Sequence, residues 1–255
     1  MILAHGFGCD QNMWRHVVPA FEGDFRVVLF DYVGHGRANA TTFDPARYAT
    51  LEGYADDVVE ICDALAIRDA VFVGHSVSAM IGVLASRKHP ARFSSLVLVG
   101  PSPRYVNEGG YVGGFTREDI DGLLDFLDSN YLGWSSTMAP VIMANPDRPA
   151  LSEELANSFC RTDPEVARHF ARVTFLSDNR ADLAGVSVPT LILQCSHDSI
   201  APESVGRYVE ANIPNSTFVQ LSATGHCPHL SDPAETVAAI RAFLRDRGLS
   251  CDRAA

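Results

Sequence analysis

The sequence predicts an α/β protein: a mostly parallel central sheet with helices on both faces, interrupted once by an all-helical insertion. Three observations carry this. Short apolar runs alternate with helical patterns over residues 1–100 and again over residues 181–255. Between about Pro101 and Arg180 the alternation stops, and only helix-like segments follow one another. One stretch, residues 70–82 (AVFVGHSVSAMIG), changes from strand to helix at a single residue, Ser76.

The elements follow in order. Residues 1–4 read as a strand that runs into His5-Gly6-Phe7-Gly8, where small residues free the backbone to curl and turn N–H groups inward. Residues 14–21 read as a short helix, and residues 26–31 as a strand ending at Asp31. Asp31 is placed to order the Gly-rich loop that follows it, Tyr32 to Arg37, by accepting its N–H groups, with a catalytic role as the alternative. Thr50 caps a helix whose apolar residues Leu51, Tyr54, Val58, Ile61 and Leu65 keep helical spacing. After residues 70–82 comes a strand over residues 95–100.

The insertion reads as helices over residues 119–127, 134–144, 153–159 and 165–176. A helical insertion after a strand of a parallel sheet is expected to form a lid. Its aromatic residues Tyr111, Phe115, Phe126, Trp134, Phe159, Phe170 and Phe175, with Ile200 beyond it, are candidates for an apolar pocket, although about half should only pack the insertion together. Asp178 is placed to anchor the insertion's return to the sheet, with a role as the catalytic acid as the alternative. A strand over residues 188–194 then ends at Cys195-Ser196-His197-Asp198. The last strand, residues 216–221, leads to Ala223-Thr224-Gly225-His226, and Ser231-Asp-Pro-Ala-Glu caps a closing helix.

Ligands of such sheets bind beyond the carboxyl ends of the strands. Ser76, Asp198 and His226 all fall there, in the order nucleophile, acid, base, which is that of α/β-hydrolases. The turn at Ser76 reads as a nucleophile elbow, G-x-S-x-G, with Gly74 present and Ser78 in place of the second glycine. His226 would take the serine proton and Asp198 would hold the imidazole. The N–H groups of Phe7 and Val77 would stabilise the oxyanion. His75 reads as a packed neighbour. A metal site from His197, His226, His229 and Asp198 is the weaker alternative, because nothing there has metal-motif spacing. A serine at the elbow disfavours chemistry that needs a carboxylate nucleophile, as in epoxide hydrolases and haloalkane dehalogenases.

Composition bounds the rest. The 255 residues suit one large domain, and 47% hydrophobic with 20% charged content is that of a globular protein. A net charge of −11 argues against nucleic acid and polybasic membrane contacts. No apolar run is long enough for a membrane span, and residues 1–4 are too short for a signal peptide. Cys9, Cys62, Cys160, Cys195, Cys227 and Cys251 lack metal or redox spacing and read as reduced thiols of a cytoplasmic protein.

With these residues in view, the chain resembles the RsbQ-type α/β-hydrolases of bacteria and, more distantly, the plant karrikin and strigolactone receptors. The shared motifs are His5-Gly-Phe-Gly-Cys-Asp-Gln, Leu29-Phe-Asp-Tyr-Val, Gly74-His-Ser-Val-Ser-Ala, Gly113-Gly-Phe, Asn130-Tyr131 with Trp134, Phe175 with Ser177-Asp178 and Arg180, Leu193-Gln-Cys followed by Asp198, and Gly225-His-Cys-Pro-His-Leu. The resemblance implies a four-helix lid over an apolar pocket and slow, cofactor-free hydrolysis of a small ester or lactone. It also implies, for some members, a signalling role with a protein partner. Such proteins begin with two further strands that this chain lacks. Residues 26–31 are therefore expected to form an open sheet edge, covered by another chain, by a rearrangement or by sequence upstream. Two functions follow: a serine hydrolase of small apolar esters or lactones, or a signalling regulator that binds or slowly turns over such a ligand. Carbon–carbon bond hydrolysis and perhydrolase chemistry are a weaker third.

Overall fold

The computed structural model describes residues 1–249; Cys251 lies outside them. Six strands form one parallel sheet: β1 (Ile2–Ala4), β2 (Val28–Leu29), β3 (Ala70–His75), β4 (Phe93–Val99), β5 (Thr190–His197) and β6 (Ser216–Thr224), in the order β2-β1-β3-β4-β5-β6. Around it lie α1 (Leu51–Ala64), α2 (Val77–Lys88), α7 (Glu203–Asn212), the single turn α8 (Pro228–Ser231) and α9 (Pro233–Arg245). Four helices stand between β4 and β5: α3 (Arg117–Ser129), α4 (Tyr131–Met143), α5 (Pro149–Phe159) and α6 (Pro164–Phe175). No described helix is long and apolar enough to cross a membrane.

Strand side chains alternate between faces, and this splits the core in two. Ile2, Ala4, Phe72, Leu96, Leu98 and Ile192 join the cluster built with α1, α2 and the insertion. Leu3, Val71, Val73, Val97, Leu191 and Leu193 join the other, with Trp14, Phe21 and the Ile240, Phe243 and Leu244 side chains of α9. Both faces are covered, which is why the central strands read as unbroken apolar runs rather than alternating ones.

Two elements differ from expectation. Residues 14–21 form two short 3-10 turns, Gln11–Trp14 and Val18–Ala20. Pro19 has no N–H to give a longer helix, and Asp10 starts the first turn early by accepting from Asn12 N–H at 2.9 Å. The strand over residues 26–31 pairs only at Val28 and Leu29, so the sheet edge is much shorter than expected. Within the insertion, α4 begins at Tyr131 because the Asn130 side chain accepts from Gly133 N–H at 2.9 Å, and α5 begins at Pro149, an N1 position that tolerates proline.

The crossing of β3 into α2 is the tightest junction. A Cβ on Gly74 would lie 2.4 Å from the Ser78 carbonyl oxygen, so strand and helix meet with no space for a side chain there. Gly74→Ala should therefore cost about 3 kcal/mol or more, toward the upper end of overpacking penalties. Urea unfolding of the variant against wild type measures it, and a loss under about 1 kcal/mol would show that the junction relaxes.

Candidate active site

Ser76 is the residue between β3 and α2. Its N–H donates to the Val99 carbonyl at 2.8 Å, in line with the sheet, and its carbonyl accepts from Ala79 N–H at 2.9 Å, in line with the helix. Serving both at once forces φ +58° and ψ −122°, a backbone that costs a non-glycine residue about 1–3 kcal/mol. The side chain then stands clear of the sheet at its carboxyl edge.

His226 Nε2 lies 2.8 Å from Ser76 Oγ, and His226 Nδ1 lies 2.7 Å from Asp198 Oδ2. With Nδ1–H donating to the carboxylate, Nε2 is left bare to accept the serine proton. The other carboxylate oxygen, Asp198 Oδ1, accepts from Ile200 N–H at 2.9 Å and Ala201 N–H at 3.0 Å, which fixes the carboxylate plane. All three side chains are buried. The main chain of His226 is held on both sides. Its N–H donates to the Ile142 carbonyl at the end of α4, and its carbonyl accepts from His75 Nε2, each at 2.8 Å. Close packing tightens this further, since a Cβ on Gly225, at φ +83°, would sit 2.0 Å from the Met143 carbonyl oxygen.

Neither the Phe7 N–H nor the Val77 N–H donates to an acceptor among the described residues. Both belong to segments that border Ser76: Val77 follows it, and a Cβ on Gly6 would lie 3.2 Å from the Ser76 Cβ. The arrangement can activate a serine hydroxyl, take up its proton and offer two backbone donors to a developing negative charge.

A cavity opens over Ser76, lined by Phe7 and by Trp134, Phe159, Phe175 and Ile200 from the expected set. Its free volume is small, about 30 Å³, enough for one or two water molecules. Tyr111, Phe115 and Phe126 do not line it, which corrects the expectation for these three. The Tyr111 hydroxyl donates to the Arg104 carbonyl at 2.8 Å, and its ring meets Tyr208 edge-on. Phe115 is tied by its backbone to Tyr105 and Asn107. On α3 it is Leu123 that enters the cavity, while Phe126 is partly buried outside it. Phe170 packs on Tyr32, His35 and Tyr54 in the core.

Sequence reasoning missed Tyr105, Met138 and Ile142. The last two had a legible signal: Trp134, Met138 and Ile142 recur every four residues on one face of α4. Tyr105 is buried in the cavity wall, and its hydroxyl makes no hydrogen bond of good geometry among the described residues. Burial raises its pKa, so it presents a neutral O–H beside the serine.

The remaining candidates are structural in their contacts. Asp31 accepts from Gln11 N–H at 2.7 Å, the Gln11 side chain at 2.9 Å and Arg37 N–H at 3.0 Å. Burial pushes its pKa up, but these donors outweigh burial and hold it below the usual carboxylate value. Asp178 pairs with Arg104 at 3.0 Å and Arg180 at 2.6 Å, where the insertion returns to the sheet. No group of three or more His, Cys, Asp or Glu side chains among the described residues could hold a metal ion; His197 is exposed and His229 is buried.

A model described as the alpha/beta hydrolase family matches residues 1–240. The chain is 42% identical over 234 residues to a karrikin insensitive 2 receptor, CA, of Petunia hybrida, covering 91% of this chain and 87% of that protein. It is 40% identical over 245 residues to the strigolactone esterase D14 of Arabidopsis thaliana, covering 96% and 91%. Among solved structures, a hydrolase from Oleispira antarctica superposes with a TM-score of 0.93 at 44% identity, covering 96% and 90%.

Four further histidines, His5, His35, His75 and His229, are buried in the core. Burial lowers the pKa of His5 and His75, and brings His35 and His229 down to about 3. An imidazole with a folded pKa below its unfolded value of about 6.5 takes its proton only on unfolding. Its stabilising effect is therefore complete above about pH 6.5 and is lost as pH falls toward the folded value. Each such group should remove about 1.4 kcal/mol per pH unit in that window. Urea midpoints between pH 7 and pH 5 should fall steeply, and His229→Leu, which removes one of these groups, should flatten the fall. An unchanged slope in that variant would contradict the burial argument.

Proposed function

The chain belongs to the α/β-hydrolase family, and from that premise we propose that it is a cofactor-free serine hydrolase of small apolar esters or lactones, with Ser76, His226 and Asp198 as its catalytic triad. The observation that carries this reading is the unbroken chain of hydrogen bonds, 2.8 Å from Ser76 Oγ to His226 Nε2 and 2.7 Å from His226 Nδ1 to Asp198 Oδ2. In the first step Ser76 Oγ attacks the carbonyl carbon and its proton passes to His226. The carbonyl π electrons move to oxygen, which accepts hydrogen bonds from the Phe7 and Val77 N–H groups. The C–O bond to the leaving group breaks as His226 returns the proton to it, leaving an acyl group on Ser76. Water, deprotonated by His226, then releases the acid. In a lactone the leaving alkoxide stays tethered to the acyl group, and the chemistry is otherwise the same.

The apolar wall of Phe7, Trp134, Phe159, Phe175 and Ile200 favours an uncharged substrate. Because the free space is only about 30 Å³, a substrate enters when the insertion moves, so α3–α6 act as a lid. A cytoplasmic setting, read from the cysteines, belongs to the same proposal.

A second reading, a signalling protein that reports ligand capture through its lid, is favoured by one contact. The base's own N–H is bound to the α4 carbonyl of Ile142, so lid and catalytic histidine cannot move independently. Slow turnover with lid displacement would favour this role, and rapid turnover of many esters the enzyme alone.

The test is p-nitrophenyl acetate hydrolysis by wild type and Ser76→Ala, with intact mass after exposure to a serine-directed phosphonate. Activity should fall by about 10⁴-fold or more, with one adduct on Ser76 in wild type and none in the variant. Equal activity, or an adduct elsewhere, would remove the assignment.

A further inference from the structure

Given the oxyanion site of the reading above, we propose that Ser78 is a positioning residue: it aims the Phe7 N–H, acting through the His5 carbonyl and backed by Tyr32. Ser78 stands where the elbow pattern has its second glycine. The junction does not need a glycine there. The close approach falls on Gly74, whose Cβ would strike the Ser78 main chain, so position 78 can carry a hydroxyl.

That hydroxyl is fully buried and donates to the His5 carbonyl at 2.5 Å. The Tyr32 hydroxyl lies 2.9 Å from Ser78 Oγ. Ser78 has one proton, and it is committed to His5, so Tyr32 is the donor in this second bond. The next peptide group along the loop is also fixed. The Gly6 carbonyl accepts from Cys9 N–H at 3.2 Å and from His5 Nδ1 at 2.9 Å. His5 Nε2 accepts from Tyr32 N–H at 3.2 Å, which sets the tautomer with the proton on Nδ1. In a planar trans peptide the C=O and N–H point opposite ways. Holding the Gly6 carbonyl therefore directs the Phe7 N–H away from these donors, and it has no acceptor among the described residues.

Two consecutive peptide planes, residues 5–6 and 6–7, are thus locked from the elbow and from Tyr32. Nucleophile and oxyanion donor become one rigid unit, because Ser78 sits in the first turn of α2, two residues after Ser76. Without the hydroxyl, the His5 carbonyl loses this donor in a buried setting, and the Gly6 peptide is braced only by Cys9 and His5.

The experiment compares wild type with Ser78→Gly, Ser78→Ala, Tyr32→Phe and the Ser78→Gly/Tyr32→Phe pair. It measures kcat and KM for p-nitrophenyl acetate and the affinity for phenylboronic acid. The boron bonds to Ser76 Oγ, the serine proton passes to His226, and the resulting tetrahedral anion probes the oxyanion donors. A positioning role predicts that both Ser78 variants lose about 10- to 100-fold in kcat, a fraction of what deleting an oxyanion donor costs. KM should stay within about twofold, and boronate affinity should fall by the same factor as kcat. Tyr32→Phe should lose less, and the pair should be no worse than Ser78→Gly alone. Unchanged kcat in folded Ser78 variants, or a loss that appears in KM and not in boronate affinity, would overturn the proposal. Should the Ser78 variants fail to fold, an unchanged kcat and boronate affinity in Tyr32→Phe would overturn it as well. Failure here with an active, phosphonate-labelled wild type leaves the hydrolase reading standing, whereas a wild type that neither hydrolyses nor binds boronate removes both.

Discussion

The backbone of Ser76 is the constraint on which the rest depends. A parallel strand in the middle of a sheet must hand its chain to a helix that packs back on it, and here that happens at one residue, with φ +58° and ψ −122°. The strain is local, and the structure holds it from both sides, through Val99 and Ala79. Gly74 makes the crossing sterically possible. The same geometry that costs backbone energy lifts the serine out of the sheet toward the cavity and leaves the Val77 N–H, at a helix start, without an acceptor among the described residues, so presentation of the hydroxyl and provision of a donor have one cause.

The partners of Ser76 are held from different parts of the chain. Asp198 is fixed by the turn after β5, whose N–H groups at Ile200 and Ala201 bind one of its oxygens. His226 is fixed through its main chain, by α4 on one side and by the His75 side chain on the other. His75 precedes the serine, so the elbow also braces His226. The insertion therefore helps to build the site. Arg148 strengthens this link: it donates to the Ser231 carbonyl at 2.6 Å and also binds Asn145, whose side chain reaches the Thr224 carbonyl at 3.1 Å.

The sheet and the residues around Ser76 were legible because each lies where an apolar run meets small or polar residues, and strand ends in a parallel sheet converge. The cavity wall was not, because it depends on how four helices rotate against one another. Tyr111 and Phe126 resemble lining residues in sequence, yet one is satisfied at a backbone carbonyl and the other packs outside the cavity. Leu123 and Tyr105 carry no local mark of their place. Residues 14–21 form two short turns in place of the expected helix because Pro19 has no N–H to donate, and the shortness of β2 was not legible because strand pattern says nothing of how many residues find a partner. The role of Ser78 was invisible for a similar reason, since its acceptor, His5, lies 73 residues away.

In the function proposed, one strained crossing and one curled loop form a single site for an oxyanion. The most direct measurement is a crystal structure of the protein after reaction with a small alkyl phosphonate. Phosphorus should be bonded to Ser76 Oγ, with the phosphoryl oxygen within hydrogen-bond distance of both the Phe7 and the Val77 N–H. A phosphoryl oxygen turned toward solvent or toward His226, with those two N–H groups unengaged, would contradict it.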